Sequence, residues 1–365
     1  MFSAKKICIA LLCYLLILCS LYACTPTALE LSAETTGTSS AEETTTPETK
    51  PIPTETPTTV TDPPPTVPEE PLFQYDKYLL SAEAKNQLTD SEQVLYRKLV
   101  DAVMDHSGVV EGFDSNDQFH KIWSVLITEF VPVRWMIQTF RESESPFTYE
   151  DGTATLHFIG DKETCDHNYE AFAGIINEAL ALIKADDSEW ERIAKLYLYV
   201  SDHMDYGNVN LVYGISPDQY NCIVYGLGIC GNYADYLNML ASQIGFETIQ
   251  GSSIGTDETG GADHAWSMIL VDGQWYHFDA CWQASNTFDM SMQYFAFDTQ
   301  YRYDTLARNN PSGVPCEVEM FNMDDYTYER TELPFCENRM PVQERNDLYA
   351  SVINDYFEGI SKDAT

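Results

Sequence analysis

The step Asp272-Gly273 separates two strand-like runs, 265–271 and 274–282, and a two-residue Asp-Gly connection is among the strongest hairpin signals a chain can carry. Such a turn makes Val271 the partner of Gln274. Counting outward sets Trp266 opposite Asp279 and His264 opposite Cys281. Alternation then places His264 and Asp279 on one face as diagonal neighbours, about 7–8 Å apart at the backbone and within side-chain reach. This region is therefore expected to hold an antiparallel pair with an imidazole beside a carboxylate.

A helix is expected just upstream, from Gly228-Ile229-Cys230-Gly231-Asn232-Tyr233-Ala234 onward. Cys230, Ala234, Leu237, Ala241 and Ile244 share one helical face, and Gly245 is placed to end it. Cys230 falls in the first turn, where unpaired amide N–H groups and the positive end of the helix dipole favour thiolate by about 0.3–1 kcal/mol. Gly228 and Gly231 read as room for a substrate backbone. A helix packed on the His264 face would bring together a nucleophile, a base and a carboxylate that orients the base. The competing readings are a small core cysteine at a helix start, His277 as a rival base on the same face, and Cys281 as a rival thiol opposite His264. His203 ends a helix away from the motif.

Three ordered blocks, Gly228-Ile229-Cys230-Gly231-Asn232-Tyr233-Ala234, Asp263-His264-Ala265-Trp266 and Trp275-Tyr276-His277-Phe278-Asp279-Ala280-Cys281-Trp282, resemble the core of the transglutaminase-like superfamily. The resemblance runs from Trp190 to Trp282. Ala280 and Cys281 stand where many bacterial members have Pro and Thr. It implies an α+β, papain-like fold in which a catalytic helix packs on an antiparallel sheet, with Cys230 as nucleophile, His264 as base and Asp279 as its orienter. The implied reaction is thiol-dependent acyl transfer on amide bonds of peptides or proteins, cell-wall peptide among them. Water as acceptor makes a protease or amidase, an amine makes a transglutaminase. The alternative is a catalytically silent binding or scaffold module. The Cys230 backbone N–H is a candidate oxyanion donor, with Gln219 as a candidate side chain. No cofactor is expected.

The chain begins with Lys5 and Lys6, an apolar run from Ile7 to about Leu18, and Leu21-Tyr22-Ala23-Cys24. These read as a lipoprotein-type signal peptide over 1–23, with Cys24 lipidated and the protein held extracytoplasmically on a bacterial cell membrane. Ordinary signal cleavage is the alternative, and Tyr22 departs from the usual lipobox. Residues 24–71, rich in Thr, Pro, Glu and Ser, offer too little apolar surface for a core and are expected to be a disordered tether; a glycosylated stalk is the other reading. A mainly helical N-terminal subdomain is expected over 72–185, and the transglutaminase-like domain with a C-terminal extension over 186–365. Capping-box spacings at Thr89/Glu92 and Ser188/Glu191 mark helix starts. Helix is also expected in the first half of 119–136 and from about Asn168 to Lys184, and a hairpin about Asp151-Gly152. Residues 206–229 read as loop, and nothing after Asp289 gives a regular signal.

A formal charge of −37 argues against nucleic acid and against an anionic membrane surface, leaving the lipid as the membrane link. Of ten cysteines, Cys8, Cys13 and Cys19 leave with the signal. Cys165, Cys222, Cys230, Cys281, Cys316 and Cys336 remain in the folded part without a CxxC pair, which disfavours a zinc site. Cys316–Cys336 is the bridge most expected in an oxidising compartment.

Overall fold

The computed structural model describes residues 71–137, 145–213, 219–253, 264–284, 290–309, 317–322, 327–332 and 334–362. The expected signal, Cys24, the tether up to Glu70, and Cys316 lie outside the described residues.

Just after Pro71 the chain is fastened to two helices far along the sequence. The Tyr75 amide donates to Asn177 Oδ1 at 2.7 Å and the Asp76 amide to Gln243 Oε1 at 2.8 Å, while Gln243 Nε2 donates back to the Asp76 carbonyl at 3.3 Å. Helix α1 (Ala82–Gln87) precedes α2 (Asp90–Met104), which starts with the predicted capping box: the Thr89 hydroxyl accepts from the Glu92 amide and the Glu92 carboxylate accepts from the Thr89 amide. Leu95, Leu99 and Val103 face inward as their spacing requires. Strand β1 (Val109–Glu111), α3 (Asn116–Glu129) and the single turn α4 (Val133–Met136) follow.

The hairpin β2 (Phe147–Glu150) and β3 (Thr153–Leu156) turns at Asp151 and Gly152, with φ of 46° and 79°, the left-handed pair that a tight hairpin turn demands. Strand β1 pairs with β3 to make a three-stranded sheet ordered β1-β3-β2. Three residues are too few to give an alternation, so this strand has no sequence signal. Helix α5 (Lys162–Ala181) starts earlier than its apolar spacing suggests, because Asp161 caps it by accepting from the Thr164 amide at 2.8 Å.

Helix α6 (Glu189–His203) opens on the predicted Ser188/Glu191 capping box and buries Ile193 through Ser201 on almost every face. Even Lys195 is only 1% exposed, its ammonium 2.7 Å from Asp187. The stretch read as loop holds β4 (Asp205–Tyr206), α7 (Val209–Tyr213), α8 (Gln219–Tyr225) and β5 (Leu227–Gly228), with β4 and β5 paired in parallel. Elements of two to seven residues carry no readable periodicity. Helix α9 (Cys230–Gln243) then runs to Gly245, which turns out of the helix at φ 95°.

Strands β6 (Thr248–Ser253), β7 (His264–Val271) and β8 (Gln274–Phe278) follow one another from the middle to one edge of a five-stranded antiparallel sheet. The β7–β8 register is the predicted one from Val271↔Gln274 to Ser267↔Phe278. There it stops. Asp279 leaves the strand and caps the next helix, α10 (Ala280–Ala284), its Oδ1 accepting from the Trp282 amide at 3.0 Å. The expected pairs Trp266–Asp279 and His264–Cys281 do not form, and His264 instead pairs with Ser253 on β6. Beyond these lie α11 (Thr299–Asn309), β9 (Glu317–Asn322), β10 (Thr327–Glu332) and α12 (Val342–Lys362), none of them legible in the sequence. The sheet order is β10-β9-β6-β7-β8.

Helix α9 lies across β7, burying Ala234, Leu237, Leu240 and Ala241, and the Ser267 hydroxyl of β7 donates to the Ala234 carbonyl at 3.2 Å. The fold is thus α+β with a helix on an antiparallel sheet. Among the described residues the main hydrophobic core runs from Leu80 to Tyr356, and Trp266, Met268 and Cys336 form a second, smaller cluster. No helix among the described residues is long and apolar enough to cross a membrane.

Candidate active site

Cys230 is the first residue of α9, so its amide is among those for which a helix supplies no carbonyl. Asn232 fixes this first turn. Its Oδ1 accepts from the Ile229 amide at 3.0 Å and its Nδ2 donates to Gln219 Oε1 at 3.0 Å, while Gln219 Nε2 donates to the Asn232 carbonyl at 3.1 Å. Gln219 is buried and acts on the turn that presents the thiol. Of the two glycines expected to leave room, only Gly231 has open space where a Cβ would stand. Gly228 is packed: a Cβ there would collide with Met204 Cε and stand 2.8 Å from Asn232 Cβ.

Placing α9 on β7 brings Cys230 to His264 and the His264 ring to Asp279. His264 Nε2 donates to Asp279 Oδ2 at 2.7 Å. A carboxylate only accepts, so Nε2 carries the proton and Nδ1 remains for the thiol. The Cys230 thiol lies close enough to His264 and to the Ala265 amide for both to act on its ionisation. Trp282 stacks on the imidazole at 4.6 Å and 16°, with Trp266 at 6.4 Å.

The electrostatics follow from these contacts. Burial pushes the Cys230 thiol up, but the His264 hydrogen bond and charge together with the Ala265 amide outweigh it, and the thiol ionises below its ordinary value. Burial lowers His264, yet Asp279 and the thiol more than offset that and hold the imidazolium above its usual range. Burial alone would raise Asp279. The charge and hydrogen bond of His264, then Arg302 and the Trp282 amide, bring it to about 2.

The rival groups fall away on geometry. Trp266 Nε1 is a donor only and points at His277 Nδ1, 2.9 Å away, so that nitrogen must accept and Nε2 carries the proton, donating to Thr299 Oγ1 at 3.0 Å. This ring is fully buried, its pKa is lowered to about 3 by burial and by Arg302, and both its nitrogens are engaged. Cys281 is buried in α10 rather than mid-strand opposite His264. His203 Nε2 meets the Ile223 carbonyl at 2.8 Å and the ring stacks on Tyr199.

One residue of the site had no sequence signal. Arg302 of α11, completely buried, donates from Nη1 to Asp279 Oδ2 at 2.8 Å, and its guanidinium carbon lies 3.8 Å from the Trp266 ring centre and 4.7 Å from that of Trp282. Its only hint was a cation between Tyr301 and Tyr303 in a chain with 20 basic and 57 acidic residues. Among the described residues, no cluster of three His, Cys, Asp or Glu side chains could hold a metal ion.

Residues 178–280 match the family model of the transglutaminase-like superfamily, so the chain carries a transglutaminase-like domain in that stretch. The match contains α9, β7 and Asp279. A solved structure described as the crystal structure of a TGase is similar at 14% identity, with a TM-score of 0.26. The aligned part covers 37% of this chain and 42% of that one. No curated protein sequence matches the chain.

Proposed function

We propose that the protein is a thiol acyl-transfer enzyme acting on amide bonds of peptides or proteins, with Cys230 as nucleophile, His264 as acid and base, and Asp279 as the group that orients the imidazole. The observation that carries this reading is a thiol in the first turn of a helix beside a histidine that is itself hydrogen-bonded to a buried carboxylate. In the first step the Cys230 sulfur forms a bond to the amide carbonyl carbon, the C–N bond breaks, and the departing amine takes the proton held at His264 Nδ1. In the second, water or an amine attacks the thioester, its proton passes to Nδ1, and the C–S bond breaks to return the thiolate. The Cys230 amide, free of an intrahelical partner by its position, suits the developing oxyanion; such a donor is worth about 2.7–4 kcal/mol in comparable sites. We further propose that the protein acts outside the cytoplasm, anchored through a lipidated Cys24.

Iodoacetamide labelling followed by mass spectrometry tests the reading. Cys230 is expected to react fast at about pH 6, where an ordinary thiol of pKa about 8.5 is almost wholly protonated. Cys230→Ala should remove the fast label together with any amide-cleaving or amine-transferring activity, and Cys281→Ser should keep both. Fast labelling at Cys281, or slow labelling everywhere, would overturn the assignment.

A further inference from the structure

Both ends of the Gln219 carboxamide are engaged by a single residue. Its Nε2 donates to the Asn232 carbonyl at 3.1 Å, and its Oε1 accepts from Asn232 Nδ2 at 3.0 Å. Asn232 Oδ1 accepts in turn from the Ile229 amide at 3.0 Å. A backbone N–H only donates and a backbone carbonyl only accepts, so Ile229 sets which way the Asn232 side chain lies, and the Asn232 carbonyl sets that of Gln219. Gln219 is buried at the first residue of α8 and Asn232 stands in the first turn of α9, so a side chain of one helix holds the start of the next.

Asn232 grips Ile229 by both of its backbone groups. Besides the bond to its side chain, the Asn232 amide donates to the Ile229 carbonyl at 2.9 Å, with the Tyr233 amide at 3.3 Å. The peptide that follows is planar and trans, so with the Ile229 carbonyl directed into the helix the Cys230 N–H is directed out of its open end. The Cys230 Cα, from which the thiol hangs, lies in the same plane. Gly228 closes the arrangement from behind: a Cβ there would stand 2.8 Å from Asn232 Cβ, so the missing side chain makes room for Asn232.

We propose that Gln219 is a positioning residue for the nucleophile: by clamping Asn232 it fixes the Ile229–Cys230 peptide, and with it the direction in which Cys230 presents its thiol to His264 and its amide to the substrate carbonyl. This rests on the acyl-transfer reading. The competing role is direct donation from the second hydrogen of Gln219 Nε2 to the substrate oxygen. Alkylation separates the two, because displacement of iodide at the methylene carbon of iodoacetamide forms no oxyanion and draws on the thiolate alone.

The test measures iodoacetamide labelling of Cys230 at about pH 6, where an ordinary thiol is almost wholly protonated, and hydrogen exchange of the Ile229 amide by NMR. Both are followed in the full chain, native and carrying Gln219→Met, Gln219→Ala, Asn232→Ala or a Gln219 change combined with Asn232→Ala, with thermal melts reporting the fold of each. Gln219→Met should slow labelling about tenfold, the loss of thiolate when a depressed thiol moves one pH unit back toward its ordinary value. Asn232→Ala should slow it at least as much, and the combined variant no further than Asn232→Ala, because one side chain acts through the other. The Ile229 amide should exchange faster in Gln219→Met than in the native protein, since its acceptor has lost its anchor. Native-rate labelling in a folded Gln219 variant or in Asn232→Ala overturns the proposal, as does a combined variant in which the two effects multiply. Slow labelling of the native protein would remove the acyl-transfer reading instead, and the Ile229 exchange would still decide whether Gln219 holds the turn.

Discussion

The carboxylate of Asp279 is shared among His264, Arg302 and the Trp282 amide, so its replacement acts on more than the imidazole. Its folded value of about 2 lies below the ordinary 3.8, a depressed carboxylate. The stability it contributes is therefore complete above about pH 4 and fades as pH falls toward 2, with a size of about 2 kcal/mol. Asp279→Asn also leaves the Arg302 charge buried without its carboxylate, which costs about 3–5 kcal/mol where a pair is broken from one side. Urea unfolding of Asp279→Asn should show a clear deficit at pH 7 that narrows as pH approaches 2; a constant deficit would mean that the carboxylate charge is not the source. Cys230, His264 and Asp279 stand out in the sequence as candidates because each sits in a local pattern: a helix start, a strand, an alternating run. Arg302 does not, because it reaches the site through α11 and a packing of rings that no local spacing encodes.

At the scale of elements, the hairpin at Asp272-Gly273 was legible down to its register, and α2, α6 and α9 were legible from their caps and apolar faces. The end of β8 was not. A strand and a short helix read alike over Asp279-Ala280-Cys281-Trp282, and the choice falls to the Asp279 side chain as a cap and to its amide, which donates to the Tyr294 carbonyl at 2.9 Å. That early end lets Asp279 turn from the sheet toward His264 and Arg302. On the other side of β7, Gly251 of β6 pairs with Trp266, and a Cβ there would stand 2.6–2.8 Å from the indole. The ring has no slack, since Arg302 covers one face and Nε1 is bonded to His277. Gly251→Ala is expected to destabilise the protein by about 1–3 kcal/mol. It should also slow Cys230 alkylation by displacing the indole that supports Arg302. A melt shifted down with alkylation unchanged would separate the packing of Trp266 from the site.

Over the whole molecule, residues 71–365 form one compact unit in which the C-terminal helix is as much a part of the core as the first: Tyr356 is buried on α12 and donates to Asp202 of α6 at 2.7 Å, and Asp355 lies 3.4 Å from the buried Lys195. The sequence showed α6 but gave no sign of α12 as its cover, because an amphipathic helix does not name its partner. The N-terminal block Leu21-Tyr22-Ala23-Cys24 carries the anchoring prediction. Cys24→Ala should move the protein from the membrane fraction to the soluble one in a fractionated bacterial host, as loss of two or three acyl chains requires; an unchanged distribution would rule out the lipid.

The fastening of residues 75 and 76 has a mechanical consequence for a chain held from its N-terminal side. A pull transmitted through Pro71 would meet the Phe73 ring under Arg192 on α6, then the Tyr75 ring against Tyr169 and Phe172 and the amide bonds to Asn177 on α5 and Gln243 in the last turn of α9. The far end of α9 is Cys230. Part of any tension along the N-terminal segment would therefore fall on the helix whose first residue is Cys230, through the Asp76 bond to Gln243.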